Sequence, residues 1–288
     1  MTRESDLADQ FSRARARLIR VAYAVLGSTA DAEDVVSDCW LRLCSADARE
    51  EIVDVDAWCT VTTARLALDL LRSARVRRET YVGPWLPEPL IGTAVDPADR
   101  ITLDESVSFA LMVVLETLTP AERTTWVLHD LFAMPFNEVA EVVGRSPAAV
   151  RQLAARARAH VTAAAPRVTV TPDEHDAAVA AFAAAVAGGD LNALLQALDP
   201  AVVLTSDGGG AVSAARRPIT GADKVSRFLF GIAGNVSEGQ RLELVSVNGA
   251  TGLALYTGER VDIVVSFTVR DGRIVRVDFV LAPDKLPR

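Results

Sequence analysis

Ser146-Pro147-Ala148-Ala149 is followed by Arg151, Gln152, Ala155 and Arg156, with the apolar Val150 and Leu153 interleaved. Serine is a good helix N-cap and proline costs nothing at the first helical position, so a helix is expected from Pro147. With Val150 and Leu153 turned to a core, the opposite face carries Ala148, Ala149, Arg151, Gln152, Ala155 and Arg156. Small residues permit close approach, and long donors reach base edges or phosphates. Upstream, Val139, Ala140 and Val143 give a shorter helix one apolar side, and Gly144 supplies a tight turn. Residues 136–158 therefore read as a helix-turn-helix whose second helix suits the DNA major groove and whose N-terminus suits a phosphate.

The formal charge of -8 is opposite to the usual basic footprint of a DNA-binding protein. Its distribution resolves the conflict. Five arginines against the single Asp69 lie between Arg65 and Arg78, and five with no acid between Gly144 and Arg167. Nine carboxylates stand between Asp31 and Asp56 against Arg42 and Arg49. Two surfaces suit phosphate and a third suits a basic protein partner.

Half of the 288 residues are apolar, enough for two or three domains with their own cores. Cys39, Cys44 and Cys59 have neither an even count nor a zinc-site spacing and read as reduced, packed thiols. The polar start of the chain has no signal-peptide core and no stretch approaches a membrane span, so a cytoplasmic protein without membrane contact is expected.

Helical periodicity runs through residues 7–80, broken at Gly27-Ser28-Thr29, with Ser28 or Thr29 placed to cap the next helix. Three prolines between Pro84 and Pro89 then favour an extended linker, taken as 81–102. Helices are expected again over 103–118, 120–132, 136–143 and 147–161. Beyond Pro172 come an alanine-rich helix over 175–187, a short one over 191–198, a third over 222–232 and five β-type segments. Asn248-Gly249 and Asp271-Gly272 are hairpin turns. The C-terminal part thus reads as an α+β domain with a curved antiparallel sheet.

Asp31-Ala-Glu-Asp-Val-Val-Ser-Asp-Cys-Trp-Leu-Arg-Leu43 resembles the second conserved region of bacterial sigma factors of the extracytoplasmic-function group. Residues 56–75 are similar to its promoter-melting helix, and 118–132 with the helix-turn-helix resemble the fourth region. Trp85-Leu86-Pro87-Glu88-Pro89, Asp207-Gly208-Gly209-Gly210 and Pro283-Asp284-Lys285-Leu286 resemble motifs of the subgroup carrying a fused SnoaL-like domain. Ala211 and Ala282 depart from that pattern, where a basic residue and an asparagine are usual.

The resemblance implies a multidomain fold: two all-α sigma domains, 1–80 and 103–165, and an α+β SnoaL/NTF2-like cone over 172–288. It implies core RNA polymerase as partner, with Asp31, Glu33, Asp34, Asp38 and Leu41 docking on the clamp helices of its largest subunit. Promoter DNA is the second partner. Arg65, Asp69, Arg72 and Arg75 would bind the downstream element, and Ser146, Pro147, Ala148, Arg151, Gln152, Ala155 and Arg156 the upstream one. No cofactor or metal is implied. The three subgroup motifs would regulate activity in cis.

Two other readings stay open at this point. A SnoaL-type cyclase or isomerase needs an acid or histidine in an apolar pocket, and Asp207 and His175 are the residues to consider. Asp207, ahead of three glycines, suits a turn cap better, and His175 falls at a helix start. A one-component DNA-binding regulator would instead sense an unknown small ligand in the C-terminal domain.

Overall fold

The computed structural model describes residues 3–78, 81–92, 107–164, 170–234 and 239–287. The chain divides into two units, one of Met1–Glu79 with Val114–Ala164, the other of Thr80–Val113 with Ala165–Arg288.

The first unit is helical. Helix α1 (Arg3–Leu26) stops at Gly27, whose φ of 76° only glycine adopts freely. Ser28 then caps α2 (Thr29–Asp47), its hydroxyl accepting from the Asp31 amide. Helix α3 (Val55–Arg78) packs on both. Leu18, Val21, Ala22 and Val25 from α1, Val35, Val36, Cys39 and Leu43 from α2, and Cys59, Ala64, Leu68 and Leu71 from α3 fill the interior. These are the apolar stripes read in the sequence. Trp40 rests on Phe11 of α1, the ring centroids 5.0 Å apart, and so helps to pack α2 on α1.

After α4 (Phe109–Leu115), helix α5 (Pro120–Trp126) opens on a capping box between Thr119 and Glu122. The helix expected through Phe132 turns instead into a π-helical segment, Val127–Leu131. Ala133 leaves it at φ 54°, and the Met134 amide and carbonyl bond back to Leu128 and His129. Helices α6 (Phe136–Val143) and α7 (Pro147–Ala164) follow, separated by Gly144 in the left-handed region. One apolar core joins α1 and α3 to these helices: Val21, Ala64 and Leu68 are buried together with Leu128, Val139, Val143, Val150 and Leu153.

In the second unit, α8 (Pro172–Ala187), α9 (Leu191–Ala197) and α10 (Ala222–Ala233) accompany one seven-stranded sheet. Its strands are β1 (Ile91–Gly92), β2 (Leu198–Asp207), β3 (Ile219–Thr220), β4 (Gln240–Val247), β5 (Ala250–Thr257), β6 (Arg260–Arg270) and β7 (Arg273–Val280), in the order β1-β4-β5-β6-β7-β2-β3. Both expected hairpin turns form: Asn248-Gly249 and Asp271-Gly272 have φ of 48° and 79°, and of 51° and 71°. The sheet is mixed where an antiparallel one was expected, because β2 pairs with β7 in parallel. Between those strands the chain returns through α10 and β4 to β6, so β7 arrives in the same direction as β2. Register shifts in β5–β6 and β6–β7 mark bulges, which bend strands.

Alternation, with the β6–β7 register shift bringing Ile274 into line, sends Phe267, Val269, Ile274, Val277 and Phe279 to one face, under Val179, Phe182, Val225 and Leu229 of α8 and α10. Val245, Val247, Ala254, Val264 and Val280 point to the other. There they bury Leu86, Ile91, Phe109 and Val113, residues that flank or belong to the proline-rich linker. The segment read as a free extended spacer is therefore, over 81–92, bound to the sheet, with Ile91 and Gly92 paired to Val247 and Ser246 of β4. Residues 93–102 of that linker, 103–106 of the helix expected over 103–118, and the break at 165–169 lie outside the described residues.

Candidate nucleic-acid interface and linker clasp

The recognition helix is built as its residue types dictate. The Ser146 hydroxyl accepts from the Ala149 amide at 3.3 Å, and Pro147 opens α7. Val150, Leu153, Ala154 and Ala157 are buried, while Ser146, Pro147, Ala148, Arg151, Gln152, Ala155 and Arg156 are exposed along the outer face. Arg151 lies over the Phe136 ring, 5.5 Å from its centroid. Arg156 extends the other way, its Nε 3.1 Å from Glu122, which also closes the capping box of α5. Burial raises the Glu122 carboxyl, but the Thr119 bonds and Arg156 outweigh it and hold the group below its ordinary range.

On α3, Asp69 and Arg72 pair at 3.2 Å along the exposed side. Arg65 stands one turn before Asp69, and its guanidinium donates to the Glu141 carbonyl of α6 at 3.2 and 3.3 Å. The Arg75 side chain lies outside the described residues. A residue without any sequence signal, Arg123 of α5, is 1% exposed. It pairs with Glu116 and donates to the carbonyl of Ala24 near the end of α1. A cation suits a helix C-terminus, whose last carbonyls have no partner within the helix.

On α2, the 100° step of a helix places Asp31, Asp34, Asp38 and Leu41 on one stripe, with Glu33 to its side. Asp38 reaches Arg42 at 3.1 Å. Leu41 is 66% exposed, an apolar side chain on the same stripe as Asp34 and Asp38.

In the second unit the three short motifs converge on one carboxylate. Asp207 ends β2, is 1% exposed, and its main-chain carbonyl accepts from the amides of Leu281 and Ala282. Its side chain accepts from the Tyr81 hydroxyl at 2.5 Å, the Leu86 amide at 2.8 Å, the Lys285 ammonium at 2.7 Å and the Gly209 amide at 3.0 Å. Lys285 also donates to the Leu86 carbonyl at 2.7 Å and sits 3.1 Å from the centroid of the Trp85 ring. Tyr81 meets Trp85 edge to face, the centroids 4.8 Å apart. A buried ammonium is tolerated because carboxylate, carbonyl and aromatic faces all surround it. Leu86, Pro87 and Pro89 are buried, whereas Glu88 is only half-buried.

Local sequence explains this convergence. Gly208 leaves no room for a side chain, since a Cβ there would stand 2.3 Å from the Val212 carbonyl oxygen. Gly209, at φ 65°, lies against Ala282, and Gly210 lies against Val82. Ala282 is fully buried and its carbonyl accepts from the Lys285 amide, forming the Pro283-Asp284 turn that returns Lys285 to Asp207. Asp284 and Leu286 flank Lys285, Leu286 packing with Leu86 in the core beneath the linker. Asp207 is thus the turn cap its sequence suggested and, beyond that, the anchor of the linker.

Asn248, legible only as a turn residue, is a second anchor. It is 2% exposed. Its amide donates to the Leu90 carbonyl at 2.8 Å, and its side-chain oxygen accepts from the Leu90 amide at 3.0 Å. Its side-chain nitrogen donates to the Val107 carbonyl at 3.1 Å. One side chain therefore holds chain segments that are 17 residues apart.

The arrangement is a helix-turn-helix with a basic outer face, an exposed acidic stripe on a helical domain, and an α+β domain that holds residues 81–92. Those features fit a subunit that reads promoter DNA as part of a larger assembly. Family models agree: residues 11–77 match sigma-70 region 2 and residues 108–161 match sigma-70 region 4. The chain is 43% identical to the extracytoplasmic-function RNA polymerase sigma factor SigJ of Mycobacterium tuberculosis, over 96% of this chain and 92% of that one. It is 32% identical to the probable sigma factor SigI of the same species, over 94% and 92%. The crystal structure of M. tuberculosis SigJ superposes with a TM-score of 0.76 at 38% identity, covering 96% and 97% of the two chains. The chain belongs to the extracytoplasmic-function family of RNA polymerase sigma factors, with sigma-70 regions 2 and 4 followed by a C-terminal α+β domain.

Proposed function

We propose that this sigma factor carries its own regulator: the C-terminal domain fixes the linker between regions 2 and 4 and thereby sets when the two can engage a promoter together. The observation that carries this reading is the Asp207 carboxylate, on which Tyr81, Leu86 and Lys285 converge. Asn248 adds a bond at each end of the remaining linker, at Leu90 and Val107. A linker held at both ends changes the effective concentration of one DNA-reading module near the other. Within the first unit, Arg65 is held by the Glu141 carbonyl, so a residue assigned to the downstream element is engaged by region 4. Polymerase would part the two regions and free it.

In this reading Asp31, Glu33, Asp34, Asp38 and Leu41 dock on the clamp helices of the largest polymerase subunit. Arg65, Asp69, Arg72 and Arg75 meet the downstream element, and Arg151 and Gln152 lead the upstream contacts, flanked by Ser146, Pro147, Ala148, Ala155 and Arg156. The protein acts in the cytoplasm; among the described residues no helix is long and apolar enough to cross a membrane.

The C-terminal domain is regulatory rather than catalytic. Asp207 is committed to the linker, His175 bonds the Thr251 carbonyl, and the apolar cavity of the domain has no titratable side chain among its described lining residues. Among those described residues, general acid-base chemistry has no group to use.

Transcription by purified core polymerase tests the proposal. Full-length protein, the Asp207→Asn variant and a chain ending after Ala164 are compared on a promoter library. Changed promoter output in both altered chains is expected; equal output from all three would sink the regulatory reading while leaving the sigma assignment in place.

A further inference from the structure

A cavity of about 140 Å³ lies between α8, α10 and the sheet. Phe182 and Val186 of α8 and Leu229 and Ile232 of α10 form one wall; Leu253, Ile263, Val265 and Phe279 of the strands form the other. Among the described residues, every side chain lining it is apolar. A water needs two to four polar partners, so such a space is poorly hydrated, and cavities of about this size and lining take up small hydrocarbons. At the open side stands Leu242 of β4, half exposed, an apolar threshold at the mouth.

The same strands carry the linker on their other face. Leu253 and Leu255 of β5 face the cavity while Ala254 and Tyr256 face the linker core. On β6, Ile263 and Val265 alternate with Val264; on β7, Phe279 is followed by Val280. Successive side chains of a strand point to opposite faces, so anything that wedges the cavity open displaces the surface on which Leu86, Ile91 and Phe109 rest.

We propose that this cavity is a sensory site for a small, uncharged, apolar molecule of about six to ten carbon atoms, a compact aromatic or alicyclic hydrocarbon. Its occupancy alters the hold on the linker. The apolar lining described selects against carboxylates and phenols, whose polar groups would be desolvated against it without a partner. The second half of the proposal rests on cis-regulation by the C-terminal domain; the first half does not.

Full-length protein is titrated with toluene and naphthalene, with benzoate as the polar control. Both hydrocarbons are expected to raise the Tm by ~3 °C at tenfold excess over Kd, and benzoate to leave it unchanged. Val265→Phe, which fills the cavity, removes the response; Leu242→Gln, which changes only the mouth, weakens it and guards against misfolding of the filled variant. Amide exchange at Leu86 and Leu90 is expected to change several-fold on addition of toluene. No hydrocarbon shift in the folded wild type, or an equal shift in the filled variant, overturns the site. Binding that leaves Leu86 and Leu90 exchange untouched overturns the coupling. Altered promoter output from Asp207→Asn without any hydrocarbon binding leaves cis-regulation standing and removes this site alone.

Discussion

Asn248 and Leu90 exchange a closed pair of hydrogen bonds, amide to carbonyl at 2.8 Å and amide to side-chain oxygen at 3.0 Å. The pair ties a β-hairpin turn to an interdomain linker, and the remaining Asn248 donors extend the tie to Val107. Because Asn248 sits at φ 48°, Gly is the substitution that keeps the turn while deleting the side-chain bonds. Asn248→Gly is expected to leave the domain folded, to lose ~1–2 kcal/mol, and to speed protease cleavage within residues 91–106. Limited proteolysis followed by mass spectrometry reads this directly; an unaltered cleavage rate would remove Asn248 as an anchor.

At the other anchor, removing either partner of a buried ion pair strands the remaining charge, with costs of ~3–5 kcal/mol in comparable cases. Lys285→Met keeps the aliphatic stem against Trp85 while deleting the ammonium, and leaves Asp207 with the donors of Tyr81, Leu86 and Gly209. Its cost is expected to fall below that of Asp207→Ala, which removes the acceptor for all four donors. Chemical denaturation of the two variants gives the ranking, and the reverse order would mean that Lys285 rather than Asp207 organises the clasp.

Arg151 projects from the exposed face of α7 without a carboxylate partner among its described contacts, whereas Arg156 pairs with Glu122. Arg151→Ala is expected to cost ~1–3 kcal/mol on the cognate promoter and, as a base contact, to relax preference at one position. Arg156→Ala is expected to cost less and to act alike on all sequences. Initiation assays on single-substitution promoters distinguish them.

Leu41, apolar and 66% exposed amid Asp34 and Asp38, is the side chain to test in polymerase docking. Leu41→Asp is expected to weaken holoenzyme assembly tenfold or more, because the centre of an interface tolerates an unpaired charge poorly, while leaving the thermal stability of the free protein within ~0.5 kcal/mol. Assembly with undiminished affinity would place the docking surface elsewhere.

Asp278 supplies a pH signature. Burial pushes its carboxyl above the ordinary range, against the opposing pull of Arg276 and Thr205. The folded protein then keeps this proton more tightly than the unfolded chain does. The contribution to stability is full below the ordinary carboxylate pKa and is lost as pH rises through the raised value. Denaturation midpoints of wild type and Asp278→Asn between pH 3 and 7 should diverge in that sense; parallel curves would mean that Asp278 ionises normally.

The helix-turn-helix was legible because its signals are local: a serine cap, a proline at the first turn, a glycine for the left-handed turn, and valines at helical spacing. The hairpins at Asn248-Gly249 and Asp271-Gly272 were legible for the same reason. What escaped depends on partners distant in sequence. Arg123 looks like any arginine on an amphipathic helix until Ala24, 99 residues away, receives it. Tyr81 and Asn248 carried no chemical signature, because a phenol or an amide acquires a role from what it meets. The parallel pairing of β2 with β7 also depends on the path of the chain, which alternation along either strand does not encode. The outer face of α7 was read from spacing, whereas the roles of the region 2 residues came from motif resemblance.

The parallel pairing of β2 with β7 also sets a schedule. Asp207 stands beside Val280 at the same end of two neighbouring strands, and Lys285 follows only after β7 is complete. On the ribosome, regions 2 and 4 emerge more than a hundred residues before Lys285, so during each round of synthesis the newborn sigma domains pass through an interval in which no clasp can yet exist. A slower decoding of the C-terminal strands would lengthen that interval, and with it the time in which a nascent chain could be captured by polymerase.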